Sequence, residues 1–444
     1  MTFQIYAISA ELKTLMNNEY PLDEPVRDFV RNEEIKISGK SAGMCYCEDN
    51  FDKILANDDA AKNRFKRVVG THHHSIAEHA HIEVVITGMS KILAMILNNM
   101  TVYCTSEKSG RYTTMTGRFD LEKQTYKSWY TIIKDTLMKS DMALAKGEDK
   151  ERVADKLAKE NARYVLDIFS PMVSMCYTCS LAQWTYLAQW MREKIPVLRE
   201  QADRALSTDM GLSNYCIELA SEFETLSDLI DNAGLYIPEL ENKKGRQIDT
   251  FLGNYHEVFK TADNLDGRAR PFATPSVDVL EDIVIVRYHA SFAALAQLQR
   301  HRTSKFTMSI FDHYGQVNEG SPKNHPKTFF IPRVVNSADW IDDLNMLLTE
   351  PEMTLPIATT IPFKMVTTFD DFKSIMMERC CGRAQYETFL CTNAIHEAIF
   401  RKSAMYREFC ADYGLPQRGV TKCMMQKCAE PCRYIAHGLE NRYV

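Results

Sequence analysis

Long hydrophobic runs are missing from the 444 residues. No stretch stays apolar for the ~20 residues that a helical bilayer crossing takes, which argues against a membrane protein. The start, MTFQIYAISAELK, lacks the charged-then-apolar pattern of a secretory signal, so the expectation is a cytoplasmic chain. Long basic runs are missing too, and the net charge is -6. Nucleic acid and anionic membrane are therefore poor main partners, although a local arginine cluster can still hold a small anion. The 13 cysteines are odd in number and scattered, which argues against a secreted disulfide framework. Their best grouping, Cys423, Cys428 and Cys432 with Cys410 nearby, lacks the CxxC knuckles of a zinc site, so free thiols and no metal are expected.

What is present is the make-up of a soluble globular protein, with 45% apolar and 25% charged residues. The length calls for two domains rather than one core. A repeat sets where they fall. Residues 83–101 read EVVITGMSKILAMILNNMT, and residues 283–303 read IVIVRYHASFAALAQLQRHRT. Each is a β-branched run followed by a helical segment opening at a serine, Ser90 or Ser291, at an offset of roughly two hundred residues. Helical periodicity then covers 151–194 and 369–413. The stretch 236–275 has few apolar runs and reads as a linker, and Pro322, Pro326 and Pro332 mark an irregular loop. The expected organisation is 1–235, a linker 236–275, and 276–444. The expected class is α/β (α+β), with two homologous halves, each a small twisted sheet packed with long helices.

Three short segments carry chemistry. The first is THHHSIAEHAHIEVVI, where Ser75 and Glu78 have the spacing of a capping box. Capping leaves His72, His73, His74, His79 and His81 unexplained. His74 and His79 are five apart, which excludes a zincin pair, and a helix start rich in N–H groups suits a phosphate. The second is Ser106-Glu107-Lys108-Ser109-Gly110-Arg111-Tyr112. It offers a hydroxyl, free backbone N–H and a guanidinium fork, although a solvated turn has the same look. The third is ASFAALAQLQRHRT, in which Gln297, Arg300 and His301 share one side of a helix and Arg300-His301-Arg302 gather cations at its end. The helix dipole accounts for cations there. It does not account for a glutamine one turn earlier.

Taken together, these segments resemble the flavin-dependent thymidylate synthases. That family carries His-x-[Ser/Thr]-x-x-Glu-His, then Gln-x-x-Arg-His-Arg, then Ser-x-Arg-Tyr. Here His73-His74-Ser75-Ile76-Ala77-Glu78-His79 matches the first element and Ser109-Gly110-Arg111-Tyr112 the last. Between them, Ile96-Leu97-Asn98-Asn99-Met100-Thr101 fills the middle slot, and the missing element stands later as Gln297-Leu298-Gln299-Arg300-His301-Arg302. In the second copy Ser309-Ile310-Phe311 replaces Ser-x-Arg-Tyr. Each copy lacks what the other retains. Asn161-Ala162-Arg163-Tyr164-Val165-Leu166 is similar to the family's Ala-Arg-x-x-Leu-Pro segment, against Glu352-Met353-Thr354-Leu355-Pro356 in the second copy. Arg379 with Ala384-Gln385-Tyr386-Glu387 resembles the family's Arg-x4-Ala-Gln-x-Glu helix. The family's Asn-x-Arg flavin contacts are replaced by Thr368 and Asp370.

The resemblance implies an enzyme that methylates dUMP to dTMP. Methylenetetrahydrofolate would supply the carbon, FAD the hydride, and NADPH would reduce the flavin. It implies one composite site in which Ser109, Arg111 and Arg163 meet the phosphate and sugar. Gln297 and Arg300 would contact the uracil and polarise its carbonyls. Glu107, Gly110 and Arg379 complete the substrate set; Gln297, Arg300, Ser109 and Arg111 are the catalytic candidates. FAD would lie against His73, Ser75, Glu78, Arg300, His301 and Arg302. Family enzymes being tetramers, a homodimer of the double-length chain is implied. Two alternatives stay open: a non-catalytic nucleotide-binding protein of the same fold, and a related flavin-dependent pyrimidine nucleotide (hydroxy)methyltransferase.

Overall fold

The computed structural model describes residues 1–7, 26–46, 51–71, 74–99, 103–207, 210–241, 265–266, 275–308, 329–419, 421–425 and 428. In chain order the first half gives β1 (Thr2–Ala7), α1 (Val26–Tyr46), α2 (Phe51–Ala56), α3 (Asp58–Gly70), β2 (His81–Met89), α4 (Lys91–Leu97) and β3 (Cys104–Glu107). It continues with α5 (Asp120–Lys139), α6 (Lys150–Ala162), β4 (Val173–Ser180), α7 (Leu181–Ala205) and α8 (Met210–Asn232). Then come β5 (Leu265–Asp266), β6 (Ser276–Leu280), β7 (Ile283–Ser291), α9 (Phe292–Leu298), β8 (Lys305–Met308), β9 (Phe330–Ile331) and α10 (Ser337–Leu347). Last are β10 (Thr360–Thr368), α11 (Phe369–Arg379), α12 (Tyr386–Lys402) and α13 (Ala404–Tyr413). The architecture is mixed helix and sheet, as the repeat-based reading expects.

Two antiparallel four-stranded sheets have one strand order. The first runs β1-β2-β4-β3 and the second β6-β7-β10-β8. In both, a nine-residue strand lies second and a four-residue strand lies at the edge. In β7 the residues Val284, Val286, Tyr288 and Ala290 are buried in alternation, the period-two signature of a strand with one core face. In β2 the alternation is Ile82, Val84 and Ile86, then Met89. A bulge between Thr87 and Met89, with Gly88 at φ +69°, shifts the phase so that Met89 still turns inward.

Among the described residues, four strands pass directly into helices through a hydroxyl cap. Ser90, Ser180, Ser291 and Thr368 accept from the backbone N–H of Leu93, Gln183, Ala294 and Asp371. Ser90 and Ser291 are the two serines that the repeat singled out. The capping box lies at Ser180 and Gln183, not at Ser75. Residues His74–Glu78 form a 3-10 turn, and the Glu78 carboxylate accepts the hydroxyl of Ser180. The helical reading of 151–194 is also corrected, because strand β4 interrupts it.

Two compact units cut across the sequence halves. The first comprises Met1–Met89, Val102–Lys108 and Val173–Asp249, and holds the first sheet with α1 to α3, α7 and α8. The second comprises Ser90–Thr101, Ser109–Met172 and Thr250–Val444. It holds the second sheet and also takes α4, α5 and α6 from the front half. Within this second unit the two Leu-Pro-type segments pair with each other. Ile168 N–H donates to the Leu355 carbonyl (2.9 Å), Ile357 N–H to Leu166 (2.7 Å) and Ala358 N–H to Tyr164 (2.9 Å). The buried Asp167 carboxylate accepts from the hydroxyl and N–H of Thr354 and from Leu355 N–H. The serine-capped helices also answer one another: Asn99 donates to the Phe306 carbonyl (3.1 Å) and Gln299 to that of Met95 (3.4 Å). Like segments meeting like segments is what a two-fold relation between repeats produces. In the linker, residues 236–241 are described with a 3-10 turn at Pro238–Leu240, and β5 pairs with β9; most of the rest, with Pro322 and Pro326, lies outside the described residues.

Candidate functional site

The second unit gathers basic residues from both halves of the sequence. The loop Ser109–Tyr112 is closed by its own backbone, the Ser109 carbonyl accepting from Tyr112 N–H (3.1 Å) and Thr113 N–H (3.2 Å). Its Oγ accepts from Arg111 N–H (3.3 Å). Gly110 is buried because Arg163 passes over it; a Cβ there would stand 3.2 Å from Arg163 Nη1 and 2.5 Å from the Met115 methyl. Arg111 donates through Nε to Glu160 (2.6 Å) and through Nη2 to the Arg383 carbonyl (2.7 Å). Glu160 is 1% exposed, so this is a strong charge-assisted contact. Lys156 lies 4.7 Å over the Tyr112 ring. Burial, and then Arg111, hold its ammonium below the usual range.

A buried hydrogen-bonded chain links Arg163 to the rear copy. Arg163 Nη2 donates to Gln385 Oε1 (3.0 Å), and Gln297 Nε2 donates to the same oxygen. Gln385 Nε2 donates to the Tyr164 hydroxyl, which donates to Glu387 Oε2 (2.6 Å). Glu387 also receives the N–H of Ser291 (2.8 Å) and the hydroxyl of Ser291 (2.5 Å). Burial raises both the Tyr164 phenol and the Glu387 carboxyl, against the donors that surround Glu387.

Beside this chain stand Arg300, His301 and Arg379. Helix α9 ends at Leu298, and His301 N–H closes a turn onto the Leu298 carbonyl (3.1 Å). Arg300-His301-Arg302 therefore follow the helix in a turn and do not extend its face, a correction to the spacing argument. Burial, and after it the charge of Arg379, push the His301 imidazole down to about 4, so it is neutral at neutral pH. Burial, then Arg300 and Arg111, lower the Arg379 guanidinium to about 10. Among the described residues, neither Arg379 Nε nor His301 Nε2 has a hydrogen-bond partner, although both are buried. A guanidinium N–H and a ring nitrogen buried without a partner among the described residues, with further arginine charge nearby, suit an anionic ligand.

Of the residues singled out from sequence, Ser109, Gly110, Arg111, Arg163, Gln297, Arg300, His301, Arg302 and Arg379 all lie in the second unit. Ser75, Glu78 and Glu107 lie in the first. Ser75 is exposed, and Glu78 is engaged by Ser180. His73, Ser309 and Cys432 fall outside the described residues. Thr368 caps α11 and Asp370 pairs with Lys373 (2.5 Å). Sequence reasoning gave no role to Gln385, Tyr164, Glu160 or Glu387. For Gln385 and Glu387 the sequence signal lies inside Ala384-Gln385-Tyr386-Glu387. Among the described residues no helix is long and apolar enough to cross a membrane, and no group of three His, Cys, Asp or Glu is placed to hold a metal ion.

No curated protein matches the chain. Among solved structures it is similar to a flavin dependent thymidylate synthase from Helicobacter pylori complexed with FAD and dUMP. The identity is 13%, over 52% of this chain and 93% of that one, at a TM-score of 0.25, too low for that structure to locate a site here. Residues 31–201 match the family model described as thymidylate synthase complementing protein. That segment runs through the serine-capped first sheet and the Arg111–Glu160 and Arg163 contacts. Over residues 31–201, this chain is therefore similar to the thymidylate synthase complementing protein family.

Proposed function

We propose that the chain is a flavin-dependent thymidylate synthase that methylates dUMP to dTMP, with its nucleotide site in the second unit. One observation carries this reading: Arg111 and Arg163 from the front half and Gln297, Arg300 and Arg379 from the rear half belong to one network of hydrogen bonds and charge. Ser109, Gly110, Arg111 and Arg163 hold the phosphate and sugar, where the guanidinium groups supply charge-assisted contacts. Arg300 and Gln297 face the ring, and Arg379 adds charge beside it.

FAD fits the donor set at residues 300–302. His301 is neutral with a buried ring nitrogen lacking a protein partner among the described residues, and Arg302 is exposed beside it. When bound and reduced by NADPH, the flavin supplies the hydride, and methylenetetrahydrofolate supplies the carbon. The chain's own groups orient the ring, neutralise phosphate charge and keep water out. Cys216 and Cys410 are poor candidates for a nucleophile. Burial pushes the Cys216 thiol up to about 12 and that of Cys410 up to about 11, away from reactivity.

The test is direct. Protein purified and reconstituted with FAD is expected to be yellow, to bleach on addition of NADPH, and to convert dUMP into a product heavier by one methyl group. A colourless protein that takes up no FAD and forms no such product contradicts it. A binding-only reading is favoured by one observation: Thr368 and Asp370 serve as helix cap and lysine partner where the family places flavin contacts. Tight dUMP binding without turnover distinguishes it. A product carrying a hydroxymethyl group identifies the related transferase.

A further inference from the structure

Gln385 is fixed at both ends, and its polarity passes on to Gln297. Arg163 has no acceptor, so the Gln385 atom facing its Nη2 at 3.0 Å is the carbonyl oxygen. The opposite end, Nε2, then donates to Tyr164, whose hydroxyl donates to Glu387. Glu387 is held in turn by the backbone N–H of Ser291. Two groups that only donate, the Arg163 guanidinium and the Ser291 N–H, bracket the chain and leave its direction no freedom. Gln297 meets the same oxygen of Gln385 and therefore presents Nε2 to it. The Gln297 carbonyl oxygen is the end that remains. Gln297 is half-buried, and among the described residues nothing donates to that oxygen.

We propose that Gln385 is a positioning residue that decides which end of the Gln297 amide meets the ligand, and that Gln297 thereby selects a ring N–H donor. The inference rests on the reading that a pyrimidine nucleotide lies against Gln297. Uracil carries a proton on its ring nitrogen N3, between two carbonyls. Cytosine carries a lone pair there. An amide oxygen attracts the first and repels the second. Polarising the ring carbonyls then falls to Arg300, not to Gln297.

Titration calorimetry of the intact protein with dUMP and with dCMP reads the preference. The wild type is expected to favour dUMP by about tenfold or more, the discrimination that one buried hydrogen bond carries when its loss leaves an acceptor facing an acceptor. Gln385→Met keeps the volume, removes the shared oxygen and frees the Gln297 amide to turn. Its preference is expected to fall to about twofold. Gln385→Glu keeps an oxygen for both donors and is expected to restore most of the preference. Gln297→Leu, which removes the selecting oxygen without touching Gln385, is expected to lose the preference as well. A folded Gln385→Met or Gln297→Leu protein that keeps the full wild-type preference overturns the proposal and leaves the nucleotide site standing. A wild type that binds neither nucleotide overturns the functional reading itself, and this inference with it.

Discussion

Gly110 shows how tightly single residues are set at this site. Only a hydrogen stands between its backbone and Arg163, and an added methyl meets Nη1 at 3.2 Å. The Met115 methyl, at 2.5 Å, is the end of a flexible side chain and gives way. The arginine, held by Gln385, does not. Gly110→Ala is therefore expected to weaken dUMP binding about tenfold while changing unfolding free energy by less than ~1 kcal/mol. Calorimetry and urea melts check the two parts, and unchanged affinity contradicts the placement. Short motifs single out Ser109, Arg111, Arg163 and Gln297 in the sequence, and all four lie in the second unit. The role of Gln385 was not legible there, since it depends on which oxygen faces an arginine far away in sequence. Only three-dimensional contact supplies that.

The recurring element is the strand that ends on a hydroxyl and turns into a helix. Two of the four were legible at Ser90 and Ser291, where β-branched runs change abruptly to helical spacing. Strand β4 was not, because Val173–Ser180 is made of serine, cysteine, methionine and threonine beside valine and tyrosine, between two strongly helical stretches. The capping box was assigned to Ser75 by local pattern, whereas Glu78 is drawn away by Ser180. Ser180 consequently serves two partners, capping α7 and donating to Glu78. Ser180→Ala is expected to destabilise the protein by about 1–3 kcal/mol, from the lost cap and the carboxylate left without its donor. A urea midpoint equal to that of the wild type contradicts this.

On the scale of the whole molecule, the sequence showed a repeat and reciprocal motif loss, but not how the chain is divided. Compact units that take α4 to α6 from the front half into the rear sheet's company cannot be read from periodicity, which is blind to exchange between repeats. Acid sensitivity belongs to this scale as well. Burial lowers His289 and His301 to about 4 from an ordinary 6.5. The unfolded chain therefore binds protons that the folded one refuses, so their contribution is full above 6.5 and is lost as pH falls towards 4. Urea unfolding at about pH 7 and about pH 5 is expected to show the loss, and His289→Gln to shrink it. An unchanged slope in that variant contradicts the burial account.

The central claim is that residues from both halves of the chain serve one nucleotide site. Calorimetric titration of dUMP into Arg163→Met, from the front half, and Arg379→Met, from the rear, tests it most directly. Each charge-assisted contact is worth about 1.5–3 kcal/mol, so each variant alone is expected to lose tenfold or more in affinity. Wild-type affinity in either folded variant contradicts the claim.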